Sequence, residues 1–319
     1  MLPCSSMQDR AACKKRTMKR KYLAFVFTLI ITSAFHENLS ALPLLQVAYA
    51  GSMGIVMDQF LGPAFAKIAQ IEFQGTGHGA WGLAHLIESK QIRPDVFVSI
   101  TPGPMRSLIA AGLVKEATPI ASTQMVIAYS DKSRFARELT DAAAGKLSWW
   151  DVLKRPGFRF GRTDPAVDPQ GRNIIFTFLL AEQFYHQPNL VRAILGEYVN
   201  PQQIFAEPSL LTRLESGQLD ASSGYLSSTK SHHLPFVSLP EQINLSNPEY
   251  SSVGFELTGP DGKTQNVEAE PLVFYAAVLL NAAQPQYGND FIRFLRSPIA
   301  QNLMRDNGYD SPKGEPLEQ

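Results

Sequence analysis

Two carboxylates and two arginines lie close together in the segment GRTDPAVDPQGRN, residues 161–173. Asp164 and Asp168 each precede a proline, and Arg162 and Arg172 flank them with the opposite charge. Such carboxylates are candidates for catalysis or metal binding, although an Asp beside a Pro is also a common turn former or helix cap. No His or Cys accompanies them, and the apolar run that follows predicts that the segment opens a helix.

Two other turns have the same character. YAGSMG places Gly51 and Ser52 at the end of a predicted strand, and FQGTGHGA places Thr76 and Gly77 after the next one. Small and hydroxyl residues before a helix leave backbone N–H groups free, and the helix dipole adds partial positive charge. A lone Gly-Ser is also an ordinary helix cap. Three such turns around one cleft would form an oxyanion site with little positive side-chain charge.

Motifs of the common enzyme classes are absent from the sequence. It contains no HExxH, GxSxG or Walker motif, and GTGHG is not the dinucleotide fingerprint, because its third glycine comes one residue early. His78 lies in the glycine turn, where solvent exposure is the simpler interpretation, and the adjacent pair His232-His233 cannot form a bidentate metal site on a strand. The serine-rich segment ASSGYLSS, residues 221–228, has no base that can be assigned to it.

The first 41 residues predict a secretory signal. The basic segment KKRTMKRK precedes the 14-residue apolar run YLAFVFTLIITSAF, and Ser40 and Ala41 are small enough for a signal peptidase. Spanning a bilayer takes about 20 apolar residues, so an uncleaved anchor is the weaker alternative. Met18 is a second possible start, since MKRKYLAFVF is already a complete signal opening. We expect an exported protein that is periplasmic or extracellular.

The leader also contains both cysteines, Cys4 and Cys13. The mature chain therefore has no disulfide, no cysteine-bound metal and no cysteine nucleophile. The whole chain carries 29 basic and 29 acidic residues, whereas residues 42–319 carry 22 basic and 27 acidic, a net charge of −5. This mildly acidic balance disfavours nucleic-acid binding. We expect a soluble monomer.

Strands alternate with helices along the mature chain, which predicts an α/β fold with mostly parallel sheets flanked by helices. We expect two lobes joined by hinge strands, one hinge near 123–131 and the other near 238–250. Lobe 1 is predicted to contain residues 42–128 and 241–319, and lobe 2 residues 129–240. Ligands of open α/β sheets bind beyond the carboxyl ends of the strands, so the strand-to-helix turns are the predicted site.

Several landmarks together resemble a known family. AGSM, GTG, FGRTDPAVDPQGRN, RLESGQLDASSGYLSS and LPFVSLPEQINLSNPEYSSV extend over residues 50 to about 295. They are similar to the periplasmic binding proteins for molybdate and tungstate, in the archaeal-type branch that serves ABC importers. The short motifs are weak signals, whereas LPEQINLSNPEY and DPQG at this separation are fairly specific.

The resemblance implies a two-lobed clamshell that holds a tetrahedral or distorted oxyanion and docks on a membrane permease. Ser52 and Thr76 match hydroxyl and amide positions of the first lobe. Asp168 matches a carboxylate that reaches the metal atom of the anion. Gly77, Arg172 and Tyr225 complete our candidate site. No cofactor and no catalytic residue is expected.

The sequence departs from the family pattern at two places. The family has a Glu before the tyrosine of the second-lobe strand, whereas this chain has Gly224 before Tyr225, and Gln170-Gly171-Arg172-Asn173 replaces Cys-Gly-Tyr-Arg. The ligand could therefore be coordinated tetrahedrally, or be another small anion such as sulfate or a carboxylate. An exported serine hydrolase using Ser222, Ser223, Ser227 or Ser228 is the alternative from a different class.

Overall fold

The computed structural model describes residues 42–247, 253–259 and 261–318. The predicted signal segment and its cysteines therefore lie outside the described residues. A six-stranded sheet and a four-stranded sheet, each flanked by helices, account for most of the fold, with a separate two-stranded hairpin. The α/β prediction is confirmed.

The large sheet has the strand order β12-β4-β11-β3-β1-β2. Strands β1 to β4 run in one direction, and β11 lies antiparallel between β3 and β4. Its strands are β1 (Leu44–Ala50), β2 (Glu72–His78), β3 (Val96–Ser99), β4 (Glu116–Ser122), β11 (Val273–Val278) and β12 (Leu317–Glu318). The central strands are buried on both faces, as their continuous apolar sequences require.

Helices cover both faces of the large sheet. A short 3-10 turn (Gly51–Met53) and a π-helical segment (Val56–Leu61) lead into α1 (Gly62–Ala69). The chain changes helix type at the Gly62-Pro63 step, where the proline removes a backbone donor. The others are α2 (Ala80–Glu88), α3 (Pro102–Ala110), α10 (Pro285–Leu295) and α11 (Pro298–Asp306). Rings of Phe65, Phe291 and Phe294 pack together where α1 meets α10.

The small sheet has the order β6-β7-β5-β8, with β5 antiparallel to its neighbours and the other strands parallel. Its strands are β5 (Met125–Tyr129), β6 (Phe160–Gly161), β7 (Ala221–Tyr225) and β8 (Phe236–Ser238). The accompanying helices are α4 (Ala136–Ala143), α5 (Trp149–Leu153), α6 (Pro169–Phe184), α7 (Leu190–Ile194), α8 (Glu207–Glu215) and α9 (Leu226–Ser231).

Helix α6 is the core helix of this half. Phe178 is fully buried on it and packs 5.5 Å from the ring of Trp149 and 6.0 Å from that of Phe160. A helix rich in aromatic residues is typical of a protein core, and both this helix and Trp149 are buried here. Because α6 is apolar on nearly every side, it is buried along most of its length, and its first turn is therefore fixed rigidly in space.

The chain crosses from the large to the small sheet at Thr123 and Gln124, between β4 and β5. Asn244 holds this crossing from the returning segment, because its carbonyl accepts the Met125 N–H and its Nδ2 donates to Gln124 Oε1 (2.8 and 2.9 Å). Leu245 beside it has a positive φ of 61°. The motif INLSN thus stabilises this crossing. Residues 248–250 of the predicted second hinge lie outside the described residues.

The predictions for β2 and for the hairpin at Asp261 had different outcomes. Strand β2 was expected to end at Gln74, but its pairing with β1 continues to His78, so the glycines lie in the strand rather than in a turn. An Asp-Gly pair between two strand-like segments predicts a hairpin, and the structure has one at Asp261-Gly262. It joins β9 (Gly254–Thr258) to β10 (Thr264–Glu268), and Gly262 has a φ of 79° that favours glycine.

Candidate ligand-binding site

A cavity of about 580 Å³ lies between the carboxyl ends of β1 and β2 and the segment that precedes α6. This is where ligands of α/β sheets bind. Residues of both sheet regions line it, namely Tyr49, Gly51, Gly54, Asp58, Gly77, His78, Gly79, Thr163, Asp164, Val167, Asp168, Ile204, Phe205, Ala206, Glu207 and Pro208. Of the sequence-predicted site residues, Gly77 and Asp168 are brought together here.

Ser52 lies in the turn after β1 and lines an adjoining cavity of about 340 Å³. The residue is only 7% exposed, and its Oγ has no hydrogen-bond partner among the described residues. Its backbone carbonyl accepts the hydroxyl of Tyr309 at 3.0 Å, which fixes the turn. A buried hydroxyl without a partner is unusual in a folded protein and is expected where a ligand supplies the missing hydrogen bond.

Thr76 and Gly77 point to different sides because successive residues of a strand alternate. A Cβ added to Gly77 would lie 2.9 Å from the Tyr49 ring, so glycine is required where this ring crosses β2. Thr76 is exposed and lines a separate cavity of about 260 Å³ with Gln46 and Arg93. The structure therefore does not bring Thr76 into the main cavity.

His78, at the end of β2, does line the main cavity. Its Nδ1 accepts the backbone N–H of Gly79 at 2.8 Å, which leaves Nε2 as the N–H of the neutral imidazole. The ring is therefore a hydrogen-bond donor at the edge of the cavity. The sequence analysis favoured a solvent-facing role for this residue, and both descriptions hold, since the residue is exposed as well.

Asp168 is the N-cap of α6. Its Oδ1 accepts the Gln170 N–H at 2.9 Å, and its Oδ2 lies against Gly79, where an added Cβ would be 3.3 Å away. Gly171 permits this helix start, because a Cβ there would lie 2.6 Å from the backbone nitrogen of Pro165. One carboxylate oxygen is thus used by the fold, and the other faces the cavity wall.

Electrostatics at the helix start favour a proton on Asp168. Burial raises the pKa of its carboxyl to about 6, and the negative charge of Asp164 adds to the increase, while the hydrogen bond from the Gln170 N–H opposes it. Asp164 itself closes a turn by accepting the Ala166 N–H at 2.9 Å. The interpretation of both aspartates as turn or cap residues is therefore correct, and Asp168 lines the cavity in addition.

The two arginines are not in the cavity. Arg162 is fully buried and donates to the carbonyls of Tyr198 and Glu197 at 2.7 and 2.8 Å. Arg172 donates to the carbonyls of Pro165 and Ala166 and lines two neighbouring cavities instead. Each arginine donates to two backbone carbonyls, so both hold loops in place. The structure does not bring Arg172 into the main cavity with Asp168.

Tyr225 lies at the end of β7, buried beneath the first turns of α6. Its hydroxyl accepts Asn173 Nδ2 at 3.0 Å, and burial raises the pKa of the phenol, with the carboxylates of Asp168 and Glu207 raising it further. Gly224 beside it is tightly packed, since an added Cβ would be 2.6 Å from Thr229 Oγ1. The position where the family pattern has a Glu thus has no space for a side chain.

Glu207 is a cavity residue that the sequence analysis did not identify. It is the first residue of α8 and lines both the main and the adjoining cavity. Burial raises the pKa of its carboxyl well above the usual value, and the Asp168 carboxylate raises it further. The local sequence FAEPSLL gives only the ordinary signal of an acidic residue in the first turn of a helix, which is why it was missed.

The serine-rich segment shows no catalytic arrangement. Ser223 Oγ is contacted by the amide of Gln170 at 3.0 Å, and none of the four serine hydroxyls is hydrogen-bonded to a His, Lys or carboxylate within the described residues. Among all the residues that the structure describes, there is no group of three or more His, Cys, Asp or Glu side chains arranged to hold a metal ion. No described helix is long and apolar enough to cross a membrane.

Comparison with known proteins agrees with this geometry. The chain is 27% identical over 293 residues to the molybdate/tungstate-binding protein of Pyrococcus abyssi, covering 83% of each chain. It is 30% identical over 228 residues to a putative ABC transporter molybdenum-binding protein of Haloferax volcanii, covering 70% of this chain and 68% of that one. The periplasmic molybdate-binding protein of Azotobacter vinelandii has a similar fold, with a TM-score of 0.57, 16% identity and coverage of 84% and 100%.

A family model, described as bacterial extracellular solute-binding protein, matches residues 45–310, which include every described element except β1's first residue and β12. The match covers both sheets, the cavity between them and the hinge. This chain belongs to the bacterial extracellular solute-binding protein family.

Proposed function

We propose that the protein captures a small oxyanion, molybdate or tungstate, and delivers it to the membrane permease of an ABC importer. Relatives with molybdate and tungstate in their names support this choice. We further propose that it acts as a monomer in the periplasm or outside the cell, without a cofactor and without catalytic activity. We also propose that the two lobes meet at residues 123–124, where the chain crosses from the large to the small sheet.

The observation that carries the proposal is the buried, unpartnered hydroxyl of Ser52 at the carboxyl end of β1. It lines the adjoining cavity, beside Gly51 and Gly54, which line both cavities. The neutral imidazole of His78 adds a donor across the end of β2. Donors at strand ends and a glycine wall suit an anion that approaches the backbone closely.

Asp168 has the geometry for a different contribution. Its Oδ2 is free of the helix cap and faces the cavity wall, so it is available to a ligand atom that accepts an extra oxygen. The metal atom of molybdate or tungstate is such an atom, whereas the central atom of sulfate is not. Direct coordination of this metal by Asp168 remains part of the proposal.

Calorimetric titration with tungstate, molybdate, sulfate and phosphate tests the function. We expect tight binding of the two metal oxyanions and no response to sulfate. Asp168→Asn keeps the helix cap, because Asn caps as well as Asp, but removes the charge and should weaken tungstate binding at least 100-fold, about 3 kcal/mol. The matched control is Asp164→Asn, which replaces a carboxylate of the same cavity that is engaged in a local turn.

Two outcomes would contradict the proposal. If Asp168→Asn binds tungstate as tightly as the native protein, the proposed site is wrong. If the native protein binds none of the four anions, an inorganic oxyanion is excluded as the solute. Tight sulfate or carboxylate binding in place of tungstate would keep the solute-binding role and replace the ligand.

A further inference from the structure

Glu207 is the first residue of α8, and its side chain reaches the turn that follows β1. Its side chain lines both the main and the adjoining cavity, and its Oε2 lies against Gly51, where any Cβ would collide with it. Its Oε1 is buried and has no hydrogen-bond partner among the described residues. The carboxyl group therefore meets the turn that contains Ser52, with one oxygen lacking any donor.

The surroundings of Glu207 provide no counterion. Within the described residues, no Lys or Arg lines either cavity. The titratable groups that face Glu207 from the other elements are Tyr49, Asp58, His78, Asp164, Asp168, Tyr225 and Tyr309, with Glu215 and His232 around the adjoining cavity. Most of these are acids, and only the two imidazoles can become positive.

An ionised carboxylate in this place would have one oxygen buried without a donor and would lie close to the charge of Asp168, which is unfavourable. The first turn of α8 favours a negative charge, but the effect of a helix terminus is small in comparison with the loss of hydration. Asp168 differs, because it accepts the Gln170 N–H and so has a partner for its charge. The two carboxyls of one cavity thus have unequal environments.

We infer that Glu207 binds the solute as a neutral acid, donating its carboxyl proton in a hydrogen bond to an oxygen of the anion. This inference rests on the proposed function. A protonated carboxyl has one O–H donor, whereas the ionised form only accepts and would repel an oxyanion. One proton on Glu207 therefore allows the acidic cavity to bind an anion without any basic side chain.

Proton-linked binding follows from this arrangement. Burial and the nearby Asp168 carboxylate raise the pKa of Glu207, so the group is neutral below that pKa. Above the pKa of about 6 of Asp168, where that carboxylate is ionised, the pH dependence of the affinity reports the protonation of Glu207. Above the pKa of Glu207 each binding event must take up a proton. The dissociation constant for the anion then rises about tenfold for each pH unit.

The test is calorimetric titration of tungstate from about pH 7 to about pH 9, a range above the pKa of about 6 of Asp168, so that this carboxylate stays ionised throughout. Buffers of different ionisation enthalpy report the number of protons taken up. We expect uptake approaching one proton at the alkaline end for the native protein. Glu207→Gln keeps an N–H donor and cannot ionise, so its affinity should be flat across the range. Glu138→Gln, an exposed carboxyl of α4 that lines neither cavity, is the control and should behave as native.

A second measurement needs no ligand. In the unfolded chain Glu207 ionises near pH 4.5, so the folded state binds more protons above that pH, and stability should fall as pH rises toward the raised pKa. Glu207→Gln should lose this decline and become more heat-resistant than native protein at neutral pH. An infrared band of a protonated carboxyl, present in the native spectrum and absent from that of Glu207→Gln, would show the neutral acid directly.

The outcomes separate the inference from the proposed function. Tungstate binding without proton uptake, or an unchanged pH slope in Glu207→Gln, would overturn the neutral-acid role and leave oxyanion capture intact. Failure of every anion to bind would overturn the proposed function, and the ligand-free measurements would still decide the protonation of Glu207. Binding of a divalent cation with proton release, lost in Glu207→Gln, would overturn both.

Discussion

The start of α6 separates two kinds of cavity. On one side lie Asp168 and Glu207, in the cavity that we propose for the solute. On the other side a cavity of about 470 Å³ contains Arg106, Arg172 and Glu270. By charge alone the arginine-lined cavity would suit an anion better, because it has two guanidinium groups.

The hydrogen-bond partners of the polar groups in the two cavities favour the opposite choice. Arg172 donates to two backbone carbonyls and lies 4.6 Å over the Trp81 ring, while Glu270 accepts the Gly103 N–H and contacts Arg106 at 3.5 Å. In the proposed solute cavity and its neighbour, Ser52 Oγ and Glu207 Oε1 have no partner among the described residues. Unsatisfied polar atoms, rather than the number of charges, therefore distinguish a binding surface from a structural one.

The largest expected effect is on the free energy of unfolding, and it tests the structural role of Arg172. Arg172→Met should lower the free energy of unfolding by about 3 kcal/mol, because two buried carbonyls lose their donors and the contact with Trp81 is lost. Urea denaturation measures this change. Arg155→Met removes an exposed pair with Glu138 and should cost less than about 0.5 kcal/mol. Equal effects of the two substitutions would mean that Arg172 does not hold the loop.

The next effect is smaller and concerns two serines with opposite roles. Ser52→Ala removes a hydroxyl without a partner, so it should leave stability unchanged and weaken tungstate binding about tenfold, roughly 1.4 kcal/mol. Ser223→Ala removes a contact with Gln170 and should lower stability by about 1 kcal/mol with little change in affinity. Calorimetry and thermal unfolding of both variants give the comparison. A Ser52→Ala protein that loses stability but keeps its affinity would reverse the assignment.

The smallest expected effect is at Thr76. Thr76→Val should change tungstate affinity by less than about twofold, within about 0.4 kcal/mol, because the residue faces away from the main cavity. The same titration used for Ser52→Ala checks this. A tenfold loss would show that both faces of β2 contribute to binding.

Sequence reasoning predicted the elements whose signals are local. The alternation of strands and helices, the helix that begins near Asp168 and the turn at Asp261-Gly262 all follow from periodicity and turn residues. The glycines of β2 were interpreted as a turn because their cause is not local. Tyr49, on the neighbouring strand, crosses them and leaves no space for side chains.

The roles of charged residues were harder to predict for the same reason. Arg172 was expected in the site because it adjoins Asp168 in the sequence, yet its guanidinium binds carbonyls six and seven residues earlier. Glu207 lies 39 positions after Asp168, and only the packing of α8 against the turn after β1 brings the two carboxyls to one cavity. Long-range packing of this kind leaves no pattern in a single sequence.

One backbone amide between the two sheets can report how often they separate. The Gly82 N–H lies in the first turn of α2, where it has no acceptor within the helix, and it donates to the Val167 carbonyl across the cavity at 3.1 Å. Its hydrogen can exchange with deuterium from the solvent only when that bond separates. The exchange rate of this one amide therefore measures how often the two walls part, and its slowing by a solute would report how long the solute is held.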